Sequence, residues 1–340
     1  MSVIHMHRVG ESMQHKNSSE FKSPFENAIF PANIVSGMPG LNSLEPLDVE
    51  NARSYNDIFG SDKVVQKIYF PFLIPSVHLC SRGHVLVLIY IHSALTKRQE
   101  RDRIRQSWGS VNSRRGQRLV HAFLLGTSRD QKIMDRVRQE SDEYGDIVQG
   151  DFHDSYRNLT YKNLMGLKWT LEYCPKAKFI MKVDDDTLID PYHLINFLLD
   201  LPLKLRTKED FLYCSVMIHI GVPQNLDDKW HIPAKEYPYR YYPAYCEGFG
   251  YILSIGAARK LLDMAAYVPY FWIDDVYVTG FLPYRLHMQP SSTAPGHGVT
   301  LMTPQLTRDL IRNNIMFLAK NSFYSKNWEE TWNKIKDLHR

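Results

Sequence analysis

The sequence predicts an α/β domain built on a mixed, largely parallel central sheet. Three observations carry that expectation. Apolar, β-branched runs of strand length alternate with longer stretches whose apolar residues recur at helical spacing. The alternation continues through most of the chain with no internal repeat. Finally, one strand-like run, Lys178 to Val183, empties into Asp184, Asp185 and Asp186. Carboxylates are thereby placed at the carboxyl end of a buried strand, where open α/β sheets receive their ligands.

The elements follow in order. Residues 1 to about 63 are rich in Ser, Asn, Pro and Gly without a sustained period, and read as a flexible stem or extension. From Ile68 to Cys80 the chain turns apolar, and Pro71 and Pro75 argue against a helix there. The expected division is a stem over 1–67 and one compact domain over 68–340. Val85 to Ile91 reads as a buried strand. Thr96-Lys97-Arg98-Gln99 has capping-box spacing and opens a helix to about Trp108. Leu119 to Leu125 forms a second strand, closed by Gly126. Arg129 to Tyr144 is a charged helix with Ile133 and Val137 on one side. Leu164, Leu167 and Leu171 place a helix between Asn158 and Tyr173, and Pro175 stops it. After the acidic strand come a helix over Pro191–Leu199 and a strand over Phe211–Met217. Ser254 then caps a helix over Ile255–Ala266.

Composition narrows the function. With 340 residues, 44% hydrophobic and 12% aromatic, the chain can bury one large core or two. A net charge of only +4, with both signs interspersed, excludes a nucleic-acid stripe. Cys80, Cys174, Cys214 and Cys246 include no C-x-x-C pair, so no zinc knuckle is expected. Two disulfides, with three possible connectivities, and free core thiols both remain open. The longest strongly apolar run, Val85 to Ile91, is far below the roughly 20 residues needed to span a bilayer. The first ten residues show no signal-peptide pattern. Asn17-Ser18-Ser19 and Asn158-Leu159-Thr160 are glycosylation sequons and point weakly to a secretory route.

The acid triplet admits two readings: a solvated turn or helix cap around Asp186 and Asp190-Pro191, or a divalent-cation site completed by substrate phosphates. Two other acidic motifs are excluded. A D-x-D-x-T/V phosphatase needs Thr or Val where Leu188 stands. An EF-hand starting at Asp184 lacks its Gly and Glu.

Further motifs fall in order. Arg101 to Gly109 reads R-x-x-I-R-x-S/T-W-G. Asp154-Ser155-Tyr156-Arg157-Asn158-Leu159-Thr160 is followed by Lys162, Gly166-Leu167 and Trp169. Cys174-Pro175-Lys176-Ala177-Lys178-Phe179 leads into the triplet. Lys229-Trp230, Tyr237-Pro238 and Tyr242-Pro243-Ala244-Tyr245-Cys246-Glu247-Gly248-Phe249-Gly250-Tyr251 come next, then Asp274-Asp275-Val276-Tyr277-Val278-Thr279-Gly280. From Val85 to Gly280, and more weakly to Trp332, this order resembles the β1,3-glycosyltransferases, the galactosyl- and N-acetylglucosaminyltransferases among them.

The resemblance implies a single Rossmann-like GT-A domain, a UDP-sugar donor, Mn²⁺ and inversion at the anomeric carbon. It implies that Asp186 binds the metal, that Asp184 and Asp185 assist on the nucleoside side, and that Asp275 is the catalytic base. Cleaving a sugar–diphosphate bond leaves charge on phosphate that a metal neutralises, so only the acceptor hydroxyl needs a base. Asp274 stands where the family usually has Glu, which shortens its reach, and is grouped with the acceptor side. Arg105, on a charged helix, is a candidate nucleotide contact, although such an arginine more often meets an acidic neighbour. Gly248 and Gly250 suggest a close backbone approach near the sugar, or a strand bulge. Trp230 and Tyr245 offer aromatic faces to an acceptor, or pack in the core.

One departure stands out. Family members often supply a second metal ligand, a His about eleven residues before a C-terminal Trp, whereas here Asn321 occupies that place. His287 and His297 lie nearby in sequence. A UDP-sugar-dependent β1,3-hexosyltransferase, galactosyl favoured, is therefore expected to act on a glycan of a glycoprotein or glycolipid. A catalytically silent sugar-binding or scaffolding relative is the competing reading. The expected location is the Golgi lumen, with membrane association through a partner or an anchor absent from this sequence. Loops such as Gly221–Tyr241 are expected to select the sugars.

Overall fold

The computed structural model describes residues 53–292, 298–300, 315–318 and 322–340. The sequon at Asn17, Asn321 and His297 fall outside them. At the centre lie four parallel strands: β2 (Val85–His92), β4 (Gln117–Thr127), β5 (Ile147–His153) and β6 (Phe179–Asp184), in spatial order β5-β4-β2-β6. β9 (Tyr245–Ser254) runs antiparallel to β6, and β8 (Leu212–Met217) antiparallel to β9. β1 (Phe72–Ile74) closes the far edge antiparallel to β5, the two-residue β3 (Ser113–Arg114) hangs on β4, and β10 (Ser291–Ser292) joins β8. β7 (Leu188–Ile189) leaves this sheet to pair with β12 (Ile315–Leu318), itself joined to β11 (Gly298–Thr300). The mixed, largely parallel α/β architecture expected of a GT-A domain is the one observed.

The continuous apolar character of β2 has a direct cause: all eight of its residues are buried, because both faces of the sheet are covered. Leu88 and Tyr90 point to one layer, with Ile180, Leu164 and Tyr251. Val87, Ile89 and Ile91 point to the other, with Met181, Val183 and Trp108. The layers are completed by helices α2 (Arg98–Gln106), α3 (Gln131–Tyr144), α4 (Leu159–Tyr173), α5 (Pro191–Asp200) and α7 (Ile255–Met264), with α6 (Leu203–Arg206) a single turn. Ser254 caps α7 as expected, accepting the N–H of Ala257 at 3.1 Å.

Several expectations change. The segment assigned to the stem contributes to the domain before residue 67: Ser54 and Asp57 form a capping box on α1 (Tyr55–Phe59), and the Phe59 ring is wholly buried. Gln66 donates to the carbonyls of Ala265 and Val268 at 2.7 and 2.8 Å. Polar composition hid this, since one buried ring suffices to dock a single turn. The capping box at Thr96 does not form: α2 starts at Arg98 without a side-chain cap, because the preceding loop is held by other bonds described below. A helical run from Asp274 to Arg285, with a π-type middle turn at Tyr277–Phe281, forms despite its β-branched Val276, Val278 and Thr279. In the sequon at Asn158, the Asn158 amide donates to the carbonyl of His153, and Thr160 is buried.

The open question about cysteines closes with Cys80–Cys174 and Cys214–Cys246, leaving no free thiol among the described residues. The first bridge spans 94 residues and the second 32. Chain entropy assigns them about 4.7 and about 3.7 kcal/mol respectively. Replacing Cys80 and Cys174 by Ala should therefore destabilise the domain by roughly 1 kcal/mol more than replacing Cys214 and Cys246. Urea unfolding of the two double variants measures it, and the reverse order would show that core packing outweighs loop closure.

Candidate active site at the carboxyl ends of the central strands

The site grows from the pairing of β2, β6 and β9. In register, His92 lies beside Asp184, and Val183 lies opposite Gly250. Residues two apart on a strand share a face, so Lys182 and Asp184 project to the same side. Lys182 is almost fully buried, and its ammonium donates to Asp184 Oδ1 at 2.7 Å and to the Gly248 carbonyl. The same ammonium lies 3.9 Å from Asp274 Oδ2. Burial opposes its charge, but Asp184, Asp274 and Asp275 outweigh that and raise its pKa.

One buried cation among so many carboxylates leaves a surplus of negative charge. Loss of solvent pushes the Asp184 carboxyl up to about 6 despite the pull of Lys182, with Asp274 and Asp186 adding to the push. Burial and then the charge of Asp274 push Asp275 up to about 7, against the Val276 N–H and Lys182. Asp186 is half-buried just beyond the strand end. This electron-rich donor set fits a divalent cation, whose charge would relieve carboxylates that burial discourages from ionising.

Asp275 is the second residue of the Asp274–Arg285 helical run, and its Oδ1 accepts the N–H of Val276 at 2.8 Å. Its other oxygen faces Gly248: a Cβ built there would stand 2.9 Å from Oδ2. Of the two expectations for the Gly248–Gly250 segment, the strand bulge is the one the pairing shows. The β8–β9 register shifts between Cys214 and Val216, so β9 bulges across these glycines, and the bulge brings backbone against the candidate base. Tyr245 is buried nearby, its pKa raised by burial and then by Asp275.

Asp274, Asp185 and Arg105 are engaged differently from the sequence expectation. Asp274 faces inward, 9% exposed; its Oδ2 accepts from Asn163 at 3.1 Å, and Asn163 Oδ1 accepts from Tyr90 and Tyr251 at 2.9 Å each. Asp274 Oδ2 is also 3.8 Å from His92, whose buried ring nitrogens have no hydrogen-bond partner and whose pKa burial drives well below the usual value. Asp185 accepts from Ser93 Oγ at 2.8 Å and Lys97 Nζ at 3.1 Å. Arg105 is held by Asp102, Glu140 and Asp146 at 2.6–2.8 Å and lies over the Tyr144 ring at 3.9 Å. Its acidic neighbours take the fork that a nucleotide would need.

Other motif residues prove to be supports that the sequence did not reveal. Arg101, fully buried, makes a bidentate pair with Glu140 and donates to Ser93 Oγ and the Ala94 carbonyl. Lys162 pairs with Asp154 at 2.8 Å within one motif. Trp108 donates to the carbonyl of Thr187 at 3.1 Å, fixing the chain just after the triplet. Trp230, 48% exposed, donates to Tyr156 Oη at 2.8 Å. Lys229 lies over the Tyr156 ring, and Tyr156 meets Trp272 edge-on, so aromatic surface extends to two residues before Asp274. His287 is exposed with a left-handed backbone at the end of the helical run.

Residues 99–293 match the family model described as Galactosyltransferase. The chain belongs to this family. It is 34% identical over 221 residues to beta-1,3-galactosyltransferase 1 of Mus musculus, covering 65% of this chain and 67% of that protein. It is 36% identical over 210 residues to beta-1,3-galactosyltransferase 5 of Pan paniscus, covering 62% and 68%. Among solved structures, the galactosyltransferase LgtC in complex with donor and acceptor sugar analogs aligns over 74% of this chain and 95% of its own. Its TM-score of 0.34 at 11% identity is too low to bear on fold or function. Family membership, the motifs and the carboxylate end of the sheet thus coincide in one region.

Gly248→Ala provides a direct probe of that region. The new methyl would press on the free end of a side chain rather than on backbone, so the fold should survive while Asp275 is displaced. A misplacement of about 1 Å costs about 100-fold in rate. The expected outcome is a large fall in kcat with an unchanged melting temperature, and retained kcat would place the base elsewhere.

Proposed function

We propose that this glycosyltransferase moves a sugar, galactose favoured, from a UDP-sugar to an acceptor hydroxyl in β1,3 linkage with inversion. The observation that carries the reading is the convergence of Asp184 and Asp275 on Lys182, with Asp186 two residues beyond Asp184. Asp186, with Asp184 beside it, would hold a divalent cation, Mn²⁺ being the proposed one. When bound, it supplies positive charge to the diphosphate leaving group.

In this reading Asp275 accepts the acceptor proton on Oδ2, the oxygen not taken by the Val276 N–H. Lys182 keeps Asp184 in place and ties the Gly248 carbonyl to it. Trp230, with Tyr156, offers aromatic faces for acceptor sugar rings, on a glycoprotein or glycolipid glycan, whereas Tyr245 packs in the core. The relatives' names support the galactosyl donor, and two disulfides support folding in an oxidising compartment, with the Golgi lumen proposed. No described helix is long and apolar enough to cross a membrane. A catalytically silent relative draws no support from the comparisons.

Two measurements test the proposal. In thermal unfolding with UDP and UDP-sugars, a Mn²⁺-dependent stabilisation should appear and vanish in Asp186→Ala, reaching about 2.7 kcal/mol at 100 times the dissociation constant. No shift with any nucleotide would exclude a donor site. For transfer itself, Asp275 must lose its proton before accepting one. With its carboxyl pushed up to about 7, kcat/KM should be low in acid and rise as pH climbs through 7. Asp275→Asn should remove that limb and lower kcat by about 10²–10⁴-fold while leaving donor stabilisation intact.

A further inference from the structure

A second cluster of metal-binding groups lies apart from the carboxylates of the proposed donor site. Asp190 caps α5, its Oδ1 accepting the N–H groups of Tyr192 and His193 at 3.0 Å each. Its Oδ2 points the other way, to His193 Nδ1 at 2.8 Å and His339 Nε2 at 2.9 Å. The three potential ligand atoms lie within 4.8 Å of one another. The two imidazoles meet edge to face with ring centres 4.7 Å apart. Asp190 is sealed at 2% exposure, while His193 and His339 keep 13% and 12% of their side chains open. The cluster is thus closed on the protein side and accessible on one other.

His193 Nδ1 is buried and makes no hydrogen bond, although a carboxylate oxygen stands 2.8 Å away. His339 Nε2 is hydrogen-bonded to that same oxygen at 2.9 Å, and a cation shared by all three ligand atoms would satisfy them together. Two neutral imidazole nitrogens and one carboxylate, with room for water, form the donor set of a four-coordinate zinc ion. The same set suits Mg²⁺, Ca²⁺ and Mn²⁺ poorly, since they prefer oxygen. The supports are in place too: two backbone N–H groups fix the far oxygen of the carboxylate. Arg114 reaches the His339 carbonyl at 3.4 Å.

We propose that Asp190, His193 and His339 form a zinc-type site that fastens the chain's final helix to α5. That helix, α8 (Ser322–Leu338), buries Trp328, Trp332 and Ile335 in the core layer beneath α2 and α5. Trp328 donates to Ser107 Oγ at 3.0 Å, beside the Trp108 that holds Thr187. The metal therefore closes a ring of contacts around the segment from Asp186 to Asp190, and it does so whatever the donor chemistry.

The test uses tag-free full-length protein stripped with a chelator. Calorimetric titration with ZnCl₂ should show one saturable site, and Co²⁺ should give the visible bands of a four-coordinate N/O complex. His193→Ala and His339→Ala should each weaken Zn²⁺ binding at least tenfold and abolish the Zn²⁺-dependent rise in melting temperature. Asp190→Asn, which keeps the helix cap, should weaken it as well, whereas Asp186→Ala should leave it unchanged. Far-UV circular dichroism checks that each variant is folded. Absence of saturable binding in the wild type, or wild-type affinity in both histidine variants, would mean that the cluster is only a hydrogen-bonded acid between two imidazoles.

Discussion

The active-site end of the sheet is organised around one buried ammonium. Without Lys182, the carboxylates of Asp184, Asp274 and Asp275, from two chain segments, would converge in a partly closed space, and mutual repulsion would drive them apart or force their protonation. The lysine bridges β6 and β9 at once, since it binds a carboxylate of its own strand and a backbone carbonyl of the neighbour. It does not neutralise the cluster, and the two acids left high in pKa mark where positive charge is still wanted. A buried charge held this way is a poor source of net stability. Its value lies in fixing the geometry of groups that must later face a ligand.

Around this centre, several of the motif residues turn out to be mechanical. From Glu140 a line of bonds runs through Arg101 to Ser93 and then Asp185, reaching the middle of the acid triplet from the back. The guanidinium fork suits this position because it answers a carboxylate bidentately while still holding a hydroxyl and a carbonyl. Trp108 and Trp328 add indole N–H bonds on the same side. The triplet therefore divides its work: Asp185 is fastened inward, while Asp184 and Asp186 remain half-open to the cleft.

Much of the fold was legible in the sequence because the parallel strands are buried on both faces and read as unbroken apolar runs. β5 and β9 were missed for the opposite reason. Gln149-Gly150-Asp151 and Glu247-Gly248-Phe249-Gly250 interrupt their apolar character, and only pairing with neighbours makes them strands. The carboxylates were legible as a cluster, since they follow a strand. The buried partners were not: Tyr90 and His92 on β2, Asn163 on α4 and Tyr251 on β9 lie far apart in the chain, and nothing local signals that they meet. Arg105 illustrates the limit of motif reasoning, because an arginine next to a site in sequence is claimed in space by whichever acids pack against it.

The bridge between Cys214 and Cys246 joins neighbouring strands at the two feet of a long excursion that carries Trp230, with Ile232 and Tyr237 as its own buried anchors. A loop pinned covalently where it leaves and re-enters the sheet is insulated from the pairing below it. Exposed residues between the two feet, away from those anchors, can be exchanged or lengthened at little cost to the strands, because closure entropy grows only slowly with length. Under the proposed function, such a cassette would let the glycan preference change without disturbing the carboxylates of the sheet.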